Sequence, residues 1–348
     1  MKHIVVIGGG VAGKKVVSDL LKIKDIKITL VEPKDYFEVP YAQLRAMVDG
    51  GAFSSSTRAL YSTLLNGVTH IKKKALGVEK NKVLLEGDTS LSFDYLVIAT
   101  GASFPTMEII KGIDATIEKR NALIEKEAQK IKKSKSILII GGGSVGVELA
   151  GEIAYEYPMK TITLVEAGSR LLGSLSESMS KRASSVLDEM KVHVVTNTRV
   201  QEKELGIWID QNKKKYRADL VYKSVGMQQM SEWIKTSSEV ELNDKGAIKV
   251  DSSLRSVKNP SIFILGDVND VPEIKVGMFA TMQAVNTVKN IKKLLANSNA
   301  SLSTYSPKKP MGMVPIGKKK GAVQVPFMHP HFLIAIKQKD LLVKMSMK

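Results

Sequence analysis

The alternation of apolar and polar positions along the chain produces one arrangement twice. Residues 3–21, HIVVIGGGVAGKKVVSDLL, open with a short apolar run, break at glycines, and continue with apolar residues at helical spacing. This pattern predicts a buried strand, a tight turn and a helix. KITLVE, ending at Glu32, is the returning strand. Residues 136–152, SILIIGGGSVGVELAGE, repeat the order, and TITLVE returns to Glu166. Between the two units come a loop and short helix near Tyr41, then a strand–turn–strand over 68–86 that turns at Lys80-Asn81. LSFDYLVIATG, residues 91–101, is a further strand, and helical periodicity runs over 117–132. Beyond the second unit the pattern predicts a helix over 176–190 and short strands over 193–209. DLVYKSVG, residues 219–226, echoes DYLVIATG. An apolar strand reaches Gly266-Asp267, and a helix follows over 277–295, in which Met278, Met282 and Val285 read as core. The tail holds the apolar runs MGMVPIG, GAVQVPF, HFLIAI and LLVKM.

The glycines fall as Gly8-x-Gly10-x-x-Gly13 and Gly141-x-Gly143-x-x-Gly146. In each unit the first glycine allows the turn, the second lets a pyrophosphate approach the backbone, and the third lets helix and strand pack closely. The helix N-terminus then offers free N–H groups and the positive end of its dipole. Glu32 lies 19 residues past Gly13, and Glu166 lies 20 past Gly146. An acid at that distance accepts hydrogen bonds from a ribose 2′-OH. Two complete fingerprints imply two dinucleotides and a duplicated architecture. The predicted class is α/β, with two Rossmann-like dinucleotide-binding domains and a small C-terminal cap.

Composition narrows the chemistry. The 348 residues are 43% hydrophobic and include no cysteine. Disulfides, thiolate metal sites and a dithiol relay are therefore excluded. The disulfide-reductase branch of two-dinucleotide enzymes, which needs a cysteine pair beside its flavin, is excluded with them. Five histidines are scattered without a ligand cluster, and no metal site is expected. The net charge is +17, and residues 289–348 hold 12 lysines against one acid, Asp340. A basic end suits an anionic partner or a solvated lysine surface. No apolar run reaches the ~20 residues that span a bilayer. With lysine at residue 2 and the first strand beginning there, neither N-myristoylation nor a signal peptide is expected. A cytoplasmic protein is expected, peripheral to a membrane or lipid droplet if its acceptor requires one.

Several side chains are candidates for a site. Lys34 and Arg45 are placed to meet a pyrophosphate, Arg45 as a bidentate donor. Lys14 and Lys15 lie in the first helix turn, where a nearby phosphate would offset their conflict with the dipole. Ala99, Thr100 and Gly101 let the backbone pass close to a flavin nucleotide. The turn at Gly226 echoes them, and Asp267, after Gly266, would bond the ribitol. The helix beginning near Gly277 would stabilise charge on a reduced flavin. Glu148 would orient a nicotinamide near the flavin, or simply complement the helix dipole. Arg170 could offset the repulsion of a 2′-phosphate by Glu166.

The order GGGVAG, TLVEPKDYFE, AQLRAM, LVIATG, ILIIGGGSVGVELAGEIA, TLVEAGSRLL and IFILGDVNDVPE resembles the apoptosis-inducing-factor-like flavoproteins and the type II NADH dehydrogenases. It is most similar to the ferroptosis-suppressor group, its plant members especially. The resemblance covers nearly the whole chain. It implies one noncovalent FAD and NAD(P)H-dependent reduction of quinones of the ubiquinone or vitamin K type. Gly8, Gly10, Gly13, Glu32, Arg45, Gly101 and Asp267 match FAD positions, and Gly141, Gly143, Gly146, Glu148 and Glu166 match NAD positions. Lys337 matches a lysine close to the flavin. There are departures. Met282-Gln283 stands where type II dehydrogenases carry paired glutamines, and Lys223 stands where the family is usually apolar.

The chain thus reads as a discontinuous FAD domain, 1–112 and 245–300, an NAD(P)H domain, 113–244, and a cap, 301–348. Glu148, Asp267 and Lys337 are its candidate catalytic residues. FAD is the expected cofactor, and NADH, or NADPH as an alternative, the expected donor. The expected partners are a quinone and a membrane or lipid-droplet surface met by the cap. No nucleic-acid partner is expected, and the protein is taken as monomer or homodimer. Two other readings stay open. One is reduction of a protein electron acceptor. The other is a redox-sensing effector that binds nucleic acid through its lysines, which 5% aromatic content makes a poor base-stacking surface.

Overall fold

The computed structural model describes residues 1–204, 206–325 and 331–348, and the side chains of 331 and 332 lie outside that description. Two parallel sheets organise it. In the first, the strands run Ile262–Ile264, Tyr95–Ile98, Lys2–Ile7, Ile26–Val31 and Thr69–Ile71 from one edge to the other. In the second the order is His193–Val195, Thr161–Val165, Ser136–Ile140 and Leu220–Lys223. Each fingerprint strand has its βαβ partner on one side and the echoed strand on the other. The sequence echo between DYLVIATG and DLVYKSVG is therefore a structural equivalence. The fingerprint strands Lys2–Ile7 and Ser136–Ile140 are buried on both faces over most of their length, which is why they read as continuous apolar runs rather than alternating ones.

The glycine turns repeat in detail. Gly8 and Gly141 have φ of +96° and +109°, a left-handed region open to glycine and costly for other residues. A Cβ at Gly13 would lie 1.8 Å from the Gly8 carbonyl oxygen, and one at Gly146 would lie 1.9 Å from that of Gly141. Close helix–strand packing thus demands the third glycine in both units. The helices that follow are Val11–Leu20 and Ser144–Glu156.

The first sheet buries apolar residues on both faces, one set with the long helix Gly277–Ala296 and the other with Val78, Val83 and Phe93 of the small antiparallel meander. That helix turns Phe279, Ala280, Gln283, Ala284, Thr287, Val288 and Ile291 inward. Met278, Met282 and Val285, expected in the core, are 40%, 38% and 49% exposed. Periodicity found the stripe but not the side, because small residues let the opposite face pack more closely.

The expected cap is a hairpin, Gly312–Ile316 with Lys320–Gln324, and the helices His331–Asp340 and Val343–Ser346. It is built into both cores. Val314, Ile316 and Ala322 pack with the second sheet's cluster, while Leu341 and Val343 pack with the first. A Cβ at Gly151 would sit 2.6 Å from Ile316, so the helix Ser144–Glu156 is shaped to receive the hairpin. The apolar runs at Val314, Ile316, Ile334, Leu341 and Val343 therefore face inward, not toward a membrane. In the runs GAVQVPF and HFLIAI, Phe327 and the side chain of Phe332 lie outside the described residues, and Leu333 is half-buried. Lys223 has a local cause: its ammonium lies over the Trp208 ring at 4.7 Å and 3.5 Å from Glu202. Cation–π and charge pairing replace the apolar contact expected there.

Candidate functional site

Each fingerprint acid braces its own glycine turn. Glu32 accepts from the Gly9 N–H at 2.8 Å and the Lys34 N–H at 3.2 Å. Glu166 accepts from the Gly142 and Gly168 N–H groups, both at 2.6 Å. A carboxylate has about four acceptor positions, so each acid keeps capacity for a ribose. The middle glycines behave differently from the others. A Cβ at Gly10 or Gly143 would meet no protein atom within 4 Å. The protein's own packing does not require glycine there, whereas close approach of a phosphate does. Both are N-caps without a side-chain hydrogen bond, which leaves the first helical N–H groups to an anion. The residues present fit two dinucleotides.

Thr100 and Gly101 tie the two halves together. The Thr100 hydroxyl donates to the Met230 carbonyl at 2.7 Å, and the Met230 N–H donates to Gly101 at 2.9 Å. Gly101, Gly226 and Gly266 have φ of +72°, +81° and +80°, and a Cβ at either of the first two would meet no protein atom within 4 Å. Asp267 sits in the turn Gly266–Val268, and that turn is held from below by Gln283. The Gln283 amide oxygen accepts from the Gly266 N–H and the Asn269 amide, both at 2.8 Å, while its own nitrogen donates to Glu273 at 2.7 Å. Gln283 is thus a buried clamp on the Asp267 turn.

Arg45 is not where a pyrophosphate donor was expected. It is 4% exposed, pairs with Glu152 at 2.8 Å, and donates to the Gln338 carbonyl at 2.8 Å. A cation buried this deeply takes a carboxylate partner from its own fold. The Lys34 ammonium lies over the Tyr36 ring at 5.4 Å. Lys14 is buried too, and donates to the carbonyl of Ser346 at 3.2 Å. Tyr41 hydrogen-bonds the Ser346 hydroxyl, so the chain's last turn is anchored beside the first fingerprint. Arg170, expected to meet a 2′-phosphate, is committed to carbonyls. It donates to Gly173 at 2.9 Å and Leu175 at 2.8 Å, and more weakly to Leu172 and Ser176.

Two of the residues expected to be catalytic do meet. The Lys337 ammonium, on the cap helix, lies 3.9 Å from the Glu148 carboxylate, with side chains 11% and 14% exposed. Burial pushes Glu148 up to about 7; Lys337 and Arg45 oppose that rise, and Glu152 adds to it. Burial also lowers Lys337, against the pull of Glu148. Lys337 donates to the Met313 carbonyl at 2.5 Å as well, which fixes its reach. Sequence reasoning missed Lys111, whose ammonium lies 2.9 Å from Asp267, since a lone lysine in a loop carries no pattern.

Paired glycine cradles, each with its acid and an open approach, define a two-dinucleotide oxidoreductase. The chain belongs to the pyridine nucleotide-disulphide oxidoreductase family, whose pattern matches residues 2–290. Members of this family are flavoproteins that use FAD with NAD(P)H, and this chain is an oxidoreductase of that class. Apoptosis-inducing factor homolog A of Dictyostelium discoideum is 30% identical over 354 residues, covering 93% of this chain and 85% of its own length. Ferroptosis suppressor protein 1 of Homo sapiens is 28% identical over 367 residues, covering 99% and 95%. The resemblance read from the residues is borne out. Among solved structures, the sulfide:quinone oxidoreductase of Aquifex aeolicus superposes with a TM-score of 0.79 over 99% of this chain and 92% of that one. At 19% identity that likeness speaks for the fold alone.

Proposed function

We propose that this chain is an FAD-dependent NAD(P)H:quinone oxidoreductase. FAD belongs to the discontinuous domain 1–112 and 245–300, held by Gly8, Gly10, Gly13, Glu32, Thr100, Gly101, Gly266 and Asp267. NAD(P)H belongs to 113–244, held by Gly141, Gly143, Gly146, Glu166 and Gly226. When bound, the flavin supplies two-electron chemistry between a hydride donor and an acceptor. The observation that carries the reading is the buried Glu148–Lys337 pair, in a chain without cysteines. Reducing a quinone to a quinol consumes two protons along with two electrons. A carboxyl pushed up to about 7 holds a proton at neutral pH and can release it there. The neighbouring ammonium orients that carboxyl and favours negative charge developing beside it. The quinone named for the superposed structure agrees with this acceptor class.

The cap's outer face is proposed to meet a membrane or lipid-droplet surface. Ile336 and Met345 are 57% and 64% exposed, on the same segment as Lys339 and Lys344. Basic residues near an anionic surface contribute about 1 kcal/mol each. Among the described residues no helix is long and apolar enough to cross a membrane. The deciding measurement is the anaerobic visible spectrum. The protein is expected to be yellow, to bleach with NADH, and to recover its colour on addition of a short-chain quinone. A folded preparation that takes up no FAD, or a bleached one that quinone leaves bleached, refutes the proposal.

A further inference from the structure

We propose that Lys111 is a positioning residue of the FAD site, acting through Asp267. This rests on the assignment of Asp267 to the ribitol. The pair joins segments 156 residues apart, at 2.9 Å, with side chains 28% and 18% exposed. The lysine comes from the loop that leaves Gly101, the acid from the turn at the end of strand Ile262–Ile264.

Lys111 is held in place on several sides. Ile110 before it is 4% exposed and packs with Leu44 and Met47. Gly112 after it lies flat on Arg120, since a Cβ there would come within 2.5 Å of the guanidinium carbon. Arg120 is fully buried, donates to the Ile109 carbonyl at 2.6 Å, and is anchored by Glu38 at 2.7 and 3.0 Å. Thr106, in the same loop, donates to the carbonyls of Lys223 and Val225 in the second unit. The Phe104 ring lies 5.6 Å from the ammonium. A freely moving surface lysine would show none of this scaffolding.

The acid is held as firmly, through the Gln283 clamp on Gly266. Lys111 occupies Oδ2 of Asp267, and among the described residues Oδ1 accepts no hydrogen bond. One oxygen fixed by an ammonium leaves the other aimed to accept from a hydroxyl. A second ammonium, that of Lys275, is pinned nearby by the carbonyls of Asn269 and Val271 and feels the Asp267 charge. Lys275 shares its charge with Asp270 and Glu273 as well, so the positive charge committed to this carboxylate is that of Lys111. That charge favours the reduced cofactor, whose ring carries more negative charge.

The test is FAD titration of apoprotein, followed by the reduction potential of the loaded protein, for K111M, K111R, D267N and K111M/D267N. K111M is expected to weaken FAD binding about tenfold with Asp267 present and less than threefold in the D267N background. It is expected to shift the reduction equilibrium about tenfold toward the oxidised form, which is about 30 mV for a two-electron couple. K111R should return both values to within threefold of the parent. If K111M folds but takes up no FAD, recovery in K111R supports the proposal and failure to recover overturns it. An equal effect with and without Asp267, or no change in affinity and potential, also overturns it. A parent protein that takes up no FAD would instead remove the cofactor assignment, before any variant is compared.

Discussion

The two fingerprints match position for position in glycine, and the helices that follow them differ in charge. Two residues past the third glycine, the first helix has Lys15 and the second Glu148; six past it, they have Asp19 and Glu152. In the first helix the two side chains satisfy each other, Lys15 to Asp19 at 2.7 Å across one turn. In the second they are like charges and must find partners elsewhere. Glu148 takes Lys337 from the cap and Glu152 takes Arg45 from the first unit. The duplicated fold supplies two nucleotide seats. A charge change at one helix position, Lys15 in the first against Glu148 in the second, turns the second helix into the place where the first unit, the second unit and the cap meet. What joins the units to the cap is therefore not in the fingerprint.

Removing the cap should break the comparison most severely. A chain ending at Tyr305 lacks Lys337, the Gln338 carbonyl that binds Arg45, and Leu341 and Val343 of the first core. Each fully buried Val or Leu contributes about 1.5–3 kcal/mol, and the hairpin adds Val314 and Ile316 from the other side. Complete loss of FAD is expected, together with loss of short- and long-tailed quinone reduction alike. Retained FAD with selective loss of the long-tailed substrate would mean that the cap is only an entrance.

Removing one member of the second helix's inner pair is the next largest change. R45M leaves Glu152 buried without its cation, at a cost of about 3–5 kcal/mol. The double variant R45M/E152L replaces the pair with apolar volume and should recover most of the loss. Urea midpoints measure both. A double variant no more stable than R45M would show that the pair is not what holds the units together. K15M, at the matching position of the first helix, should change stability by less than about 1 kcal/mol, because its pair is partly exposed.

These contrasts show what can be read from one chain. The glycines, the strands around them and the bracing acids were legible because backbone geometry demands them locally, as the Gly8–Gly13 and Gly141–Gly146 contacts show. Glu148 and Lys337 were each singled out, but their meeting depends on how the cap docks. The long cations were the failures. Arg45, Arg170 and Lys111 have reaches of several ångströms, and which carboxylate or carbonyl each finds is set by distant segments. Gln283 was noted only as standing where type II dehydrogenases carry paired glutamines, and its clamp on the Asp267 turn was not legible because an amide in a helix carries no chemistry until its partners are known.

The outer pair makes a smaller, pH-dependent prediction. The folded state raises Glu148 from the ordinary 4.5 to about 7, so it favours the protonated form. Its contribution to stability is fully present below about 4.5 and is lost as pH rises through about 7. E148Q cannot lose it, so the variant should gain on the parent across that interval, by up to ~3 kcal/mol. Unfolding midpoints from pH 4 to 8 check the sign. Quinone turnover in the parent should fall as pH rises through about 7, and E148Q should lack that inflection. An unchanged inflection in E148Q would assign the ionisation to another group.

The smallest effect is the choice between NADH and NADPH. Glu166, already bonded to the Gly142 and Gly168 N–H groups, is held where it would accept from a ribose 2′-OH and repel a 2′-phosphate. Arg170 was the residue that could soften that repulsion. Its guanidinium is instead spent on the carbonyls of Gly173 and Leu175. Turning it toward a phosphate would leave those carbonyls without their donor, at about 1–3 kcal/mol for each one buried. NADH should therefore be preferred by more than the Arg170 position alone suggests. E166A should narrow the kcat/KM ratio about tenfold, or ~1.4 kcal/mol. R170M should lower thermal stability and leave the ratio within twofold of the parent. A ratio that moves with Arg170 rather than with Glu166 would mean that the arginine leaves its carbonyls when the nucleotide binds.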